Sequence, residues 1–172
     1  GAGFDYADFG SPPYGDLRFA AADKTTPLDF EVESWDTEGL SYVWVKVPEL
    51  TAGTTIYALW GRSGVAVPSC TTNGAVWAEA YNAVWHLCDG ADNAHVSDST
   101  ANCRHGTKKA ANSPAQTAAV IGKGQLFASS YIDVTGVADS GKTHTFSMWL
   151  NGGAGSSAAN IFPFDVELGR LV

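Results

Sequence analysis

The chain has 172 residues, 45% of them hydrophobic and 12% aromatic, which suffices for one packed sandwich or two small β-domains. Its formal net charge of -8 argues against nucleic acid or an anionic membrane surface as partner, since both need clustered Lys and Arg, and leaves a sugar, a cation or another protein. No apolar run approaches the ~20 residues of a membrane span and no basic-then-apolar leader opens at Gly1, so a soluble chain, matured or cut from something longer, is expected.

Taken in order, the patterning has period two. Residues 16–19 form the first expected strand. Leu28, Phe30 and Val32 then alternate with Asp29, Glu31 and Glu33, and Val43, Val45 and Val47 alternate with Trp44 and Lys46 until Pro48 stops the run. Each run reads as a half-buried antiparallel strand. Residues 54–60 continue the series, and a Gly, Ser and Thr-rich stretch with Pro68 and Cys70 then breaks the alternation. The expected organisation is a β-domain over 1–61, a linker over 62–75 and a second β-module over 76–172. Within the latter, strands are expected at 84–88, 125–127, 131–134 and 145–150, a Gly/Ala/Ser loop at 151–160, and an apolar tail at 161–172 that adds an edge strand or docks on a partner. No convincing helix is found, and residues 78–83 are too short to stand alone as one. The fold class is therefore all-β: an antiparallel β-sandwich or jelly roll, in one piece or as two incomplete β-domains.

His86-Leu87-Cys88 and Cys103-Arg104-His105 mirror each other across a polar loop. One antiparallel register would set Cys88 beside Cys103 and His86 beside His105 on one face, an arrangement that serves either a disulfide or a metal. Cys70 is the odd cysteine. Six tryptophans raise the question of sugar binding, because saccharides stack their apolar faces on exposed rings while polar side chains hold the hydroxyls. Trp44 and Trp60, beside polar strand positions, are the candidate platforms. Trp35 and Trp77 rank behind them, the facing of Trp85 and Trp149 is ambiguous, and core burial is the competing reading for each. No Gly-x-Ser-x-Gly elbow, His-Glu-x-x-His, Walker loop or dinucleotide glycine fingerprint occurs.

Residues 16–19 (Asp-Leu-Arg-Phe), 31–36 (Glu-Val-Glu-Ser-Trp-Asp), 43–48 (Val-Trp-Val-Lys-Val-Pro) and 54–61 (Thr-Thr-Ile-Tyr-Ala-Leu-Trp-Gly) resemble, in order and spacing, a bacterial domain of unknown function from large secreted and surface proteins. That family typically precedes a laminin-G or concanavalin A-like module. The next stretch is similar to the start of such a module: Val84-Trp-His-Leu87, Asp98-Ser-Thr100, His105-Gly-Thr107, Gly124-Gln-Leu-Phe127, Tyr131-Ile-Asp-Val134 and Phe146-Ser-Met-Trp149. Against that pattern both domains look short of strands, which implies a fragment, or a subunit completed by neighbours through open sheet edges.

The resemblance implies an extracellular or cell-surface setting. There an oxidising environment favours a Cys88–Cys103 disulfide, closing a loop of about fifteen residues worth roughly 3 kcal/mol. A Cys2His2 zinc site using His86 and His105 and a pair of unjoined thiols are the alternatives. Laminin-G modules often bind calcium, and Asp89, Asp92 and Asp98, with Asn93, lie between the mirrored motifs as candidate oxygen ligands; turn chemistry explains the same residues without an ion. Concanavalin-like retaining glycosidases carry paired acids on one strand. Glu31 and Glu33 share a face at about 6.5–7 Å, near the ~5–5.5 Å that retention needs. The order Glu, Glu, Asp departs from theirs, however, and a solvated strand face is the simpler reading. The expected function is a non-catalytic binding or adhesion module directed to a polysaccharide or surface glycan. The alternative is a structural subunit of a filament or coat that pairs with copies of itself through strand edges, and a glycosidase comes third.

Overall fold

Alternation decides the architecture. The structure, a computed structural model, describes residues 5–78, 81–89, 94–109, 114–137 and 145–152, with the backbone of 164–165 and 170–171. Its strands are β1 (Arg18–Ala20), β2 (Pro27–Leu28), β3 (Phe30–Ser34), β4 (Tyr42–Val45), β5 (Tyr57–Leu59), β6 (His95–Val96), β7 (Gly106–Lys109), β8 (Ala115–Ala118), β9 (Lys123–Leu126), β10 (Tyr131–Val134), β11 (Phe164–Asp165) and β12 (Arg170–Leu171). They form antiparallel sheets in the orders β2-β1-β5, β3-β4, β8-β9 and β11-β12-β10-β7-β6, none closed into a barrel. Among the described residues helical structure is limited to single 3-10 turns at Tyr6–Asp8, Ser69–Thr71 and Ala75–Trp77. None is long and apolar enough to cross a membrane. The protein is thus all-β and antiparallel.

The chain divides into two compact units, residues 1–81 with 99–101 and residues 82–98 with 102–172. In the first, Phe30 pairs with Val45 and Val32 with Val43 across β3-β4, and these four side chains join the cluster around Phe9, Leu17 and Phe30. Phe30 is fully buried, a gain of about 2–3 kcal/mol. Trp35 closes this core, meeting Tyr6, Phe9 and Tyr14 at ring-centroid distances of 5.2, 5.1 and 5.2 Å. Residues 62–75, expected as a linker, run against this unit: the Ala66 carbonyl accepts from Arg18 Nη2 at 3.0 Å, the Val65 N–H donates to Ser11 Oγ at 3.1 Å, and Thr71 is buried.

Asp16, 3% exposed, gathers the segments that no ladder satisfies. Its Oδ2 accepts from the backbone N–H groups of Gly10 (2.9 Å), Gly61 (2.6 Å) and Arg62 (2.8 Å), and its Oδ1 from Ser11 (3.1 Å). Burial alone would raise this carboxyl, but the four backbone donors outweigh burial and bring its pKa down to about 2.

In the second unit Val96, Ile132, Val134 and Val137 form the core, with Trp85, Leu87 and Phe127 packed on it. Gly106 pairs with Val96 on one side and Val134 on the other. A Cβ there would meet Ile132 Cγ2 at 2.5 Å and Val96 Cγ2 at 2.6 Å, so this strand position admits only glycine without repacking.

Residues 84–88 and 103–105 are not the facing strands that the mirrored motif suggested. Leu87 and Cys103 have φ of +62° and +51°, in the left-handed region that interrupts a strand. The pairing that forms sets His95 opposite Thr107 and Val96 opposite Gly106. Cys88 and Cys103 are therefore not cross-strand partners, and no disulfide is present among the described residues. Residues 145–150 form no strand either, and Trp149 is 74% exposed. Conversely, β7 and β8 were not expected, because Gly106-Thr-Lys-Lys109 and Ala115-Gln-Thr-Ala118 lack alternating apolar residues, and their partner strands supply the pairing instead.

Candidate functional site

The face of β3-β4 opposite Val32, Val43 and Val45 collects the polar half of the alternation, and Glu31, Glu33 and Trp44 on it are half-buried. Glu31 lies directly opposite Trp44, and the ladder shifts register between Val32 and Ser34. Trp44 Nε1 donates to Glu33 Oε2 at 2.7 Å, and Trp77 Nε1 donates to Glu31 Oε2. Trp77 reaches this sheet from the 3-10 turn Ala75–Trp77, which starts at Gly74 with φ of +78°. The Trp44 and Trp77 rings stand 5.4 Å apart at 61°, and the Trp77 and Tyr81 rings 5.2 Å apart at 82°. Lys46, on the same strand face as Trp44, donates from Nζ to the Ala75 carbonyl at 3.3 Å and fastens the turn to the sheet.

The result is a row of three aromatic rings beside two carboxylates. Trp44 and Trp77 are half-buried and Tyr81 is 51% exposed. Each glutamate grips an indole N–H and so fixes a ring, a charge-assisted bond that limits rotation at a surface where tryptophan would otherwise move. Rings with one apolar face and carboxylate acceptors at their edge suit a ligand that is apolar on one side and hydroxylated around its rim. The paired acids Glu31 and Glu33 thus belong to the same constellation as Trp44. Sequence ranked Trp77 second and passed over Tyr81. Neither carries a local signal, since the Trp77–Glu31 contact joins residues 46 positions apart.

Trp60 joins a different group. Its ring, 38% exposed, stacks on Phe9 at 6.0 Å and 23°, and with Asp16, Arg18, Leu59, Arg62 and Val65 it lines a cavity of about 170 Å³.

Of the proposed calcium ligands, Asp98 is 6% exposed, accepts the Val84 N–H on Oδ1 (2.9 Å) and the Arg104 N–H on Oδ2 (2.8 Å), and donates its own N–H to His105 Nδ1 at 3.0 Å. Asp89 Oδ1 accepts from the Ser97 N–H at 2.7 Å, and Asp92 lies outside the described residues. Asp98 therefore orders backbone, as turn chemistry predicts. Among the described residues no three His, Cys, Asp or Glu side chains are gathered in a way that could hold a metal.

Residues 13–98 match the family model described as Domain of unknown function (DUF2341). The chain belongs to this family. No curated protein and no solved structure matches it. The DUF2341 match contains the whole β3-β4 face, Trp77, Tyr81, Asp16 and the cavity beside Trp60, and ends on Asp98.

Proposed function

We propose that this protein is a non-catalytic, glycan-directed binding or adhesion module of an extracellular or cell-surface protein, and that the β3-β4 face of its DUF2341 domain carries the binding. The observation that supports this most directly is the pair of indole–carboxylate bonds that hold Trp44 and Trp77 on the polar side of a sheet whose other side is already filled by Phe30, Val32, Val43 and Val45. With Tyr81 the two indoles form a contiguous, partly exposed aromatic patch, the kind of surface that marks a binding site. Their faces take the C–H side of a pyranose, and Glu31 and Glu33 accept from its hydroxyls. The laminin-G-like motifs of the second unit fit the same reading, with a concanavalin-like construction completing the module.

Affinity electrophoresis through gels containing neutral polysaccharides tests the proposal. The wild type is retarded by at least one of them, and Trp44→Ala and Trp77→Ala each weaken that binding about tenfold or more, as expected for loss of a stacking anchor. Trp149→Ala leaves it unchanged. Retardation that survives both platform substitutions refutes the site.

A further inference from the structure

The cavity beside Trp60 has the opposite electrostatic character to the β3-β4 face. Arg18 anchors its guanidinium on backbone carbonyls alone, Gly15 (2.9 Å) and Leu17 (2.6 Å) through Nη1 and Ala66 (3.0 Å) through Nη2. Asp16, the single acid in the lining, is engaged by its four backbone N–H donors. Arg62 is held at the backbone from both sides, its N–H donating to Asp16 and its carbonyl accepting from Ser11 Oγ at 2.9 Å. Gly10 packs so closely on it that a Cβ there would fall 2.7 Å from the Arg62 carbonyl carbon. The Arg62 side chain is exposed, and no hydrogen bond or ion pair engages its guanidinium among the described residues.

A chain of net charge -8 thus places two arginines that no carboxylate among the described residues pairs with, and an exposed indole, around one small cavity. We infer that this cavity binds the carboxylate-bearing ring of an acidic sugar, a uronate residue of a polysaccharide. The Trp60 ring offers a stacking wall, and Arg62, on an immobilised backbone, presents the planar fork that takes a carboxylate through two parallel N–H···O bonds. The cavity, about 170 Å³, is below the usual size of ligand pockets and leaves room for no more than one ring. Arg18 adds positive charge without being consumed by the ligand. This inference does not rest on the Trp44 face.

The test uses the full chain in gels containing polygalacturonate or alginate, with fully methyl-esterified polygalacturonate as the uncharged counterpart. The wild type is retarded by an acidic polymer and not by the ester, and retardation falls as salt rises. Arg62→Gln weakens the binding at least tenfold while its melting temperature stays that of the wild type, because the guanidinium bonds to none of the described residues. Trp44→Ala leaves acidic-polymer binding intact, which separates this site from the neutral-glycan face. Equal binding by Arg62→Gln and wild type, equal retardation by the ester, loss of acidic-polymer binding in Trp44→Ala, or no retardation by either acidic polymer overturns the inference.

Discussion

Both units hold irregular segments on a buried aspartate, but the two carboxylates stand in different surroundings. In the first, Asp16 accepts four backbone N–H groups and draws residues 10–11 and 61–62 onto the start of β1. In the second, Asp98 accepts the backbone N–H groups of Val84 and Arg104 and donates its own N–H to His105 Nδ1. The strands of this protein are two to five residues long, so much of the backbone lacks a ladder partner, and a buried carboxylate with up to four acceptor positions is the densest replacement available. In the first unit the cluster lies beside the core around Phe9, Leu17 and Phe30, and in the second unit tight packing at Gly106 and a five-stranded sheet stand beside Asp98.

The contrast breaks hardest at Asp16. In Asp16→Asn the new amide nitrogen faces donors, so some of the N–H groups of Gly10, Ser11, Gly61 and Arg62 lose their acceptor; a fall in melting temperature on the order of 10 °C or more is expected. Amide exchange at those four residues should accelerate while the Val96 and Ile132 amides keep their protection. Acid probes the same carboxylate in the wild type. Its folded pKa of about 2 lies below the ordinary 3.8, so its stabilisation is fully present above about pH 4 and is lost as pH falls through about 2. The exchange rates of these four amides over pH 5 to 1.5 should follow that window.

Gly106→Ala addresses the other side of the comparison. Overpacking against Ile132, Val96 and Val134 should cost about 1–3 kcal/mol, read as earlier exchange at Val96 and Ile132 with the Asp16 cluster unchanged. Smallest is His105→Leu, which strips the acceptor from the Asp98 N–H and should cost about 1 kcal/mol, seen by chemical denaturation. An effect at His105 larger than at Gly106 would mean that the second unit, too, hangs on its aspartate.

The sequence made the strands with clean alternation legible. Phe30, Val32, Val43 and Val45 against Glu31, Glu33 and Trp44 specify β3, β4 and their two faces, because side-chain period alone assigns dry and wet sides. Residues 131–134 were found for the same reason. The mirrored Cys and His motif misled, since constant spacing about a loop is only one of several registers. The pairing that forms sets Val96 opposite Gly106 within the cluster of Ile132 and Val134, while Leu87 and Cys103 take left-handed backbone that interrupts the imagined strands.

What the amino-acid sequence determined by itself was class and local chemistry: an all-β antiparallel chain, acidic, with Trp44 on a polar face and two acids beside it. Only the tertiary structure decided that Trp77 and Tyr81 join Trp44, that Trp60 lines one cavity with two arginines, and that Asp16 and Asp98 serve backbone amides. Alternation is a property of neighbours in the chain, whereas these groupings bridge separations of up to 46 residues. The partner at that range is chosen by which N–H groups are left without a ladder and which side chain can reach them.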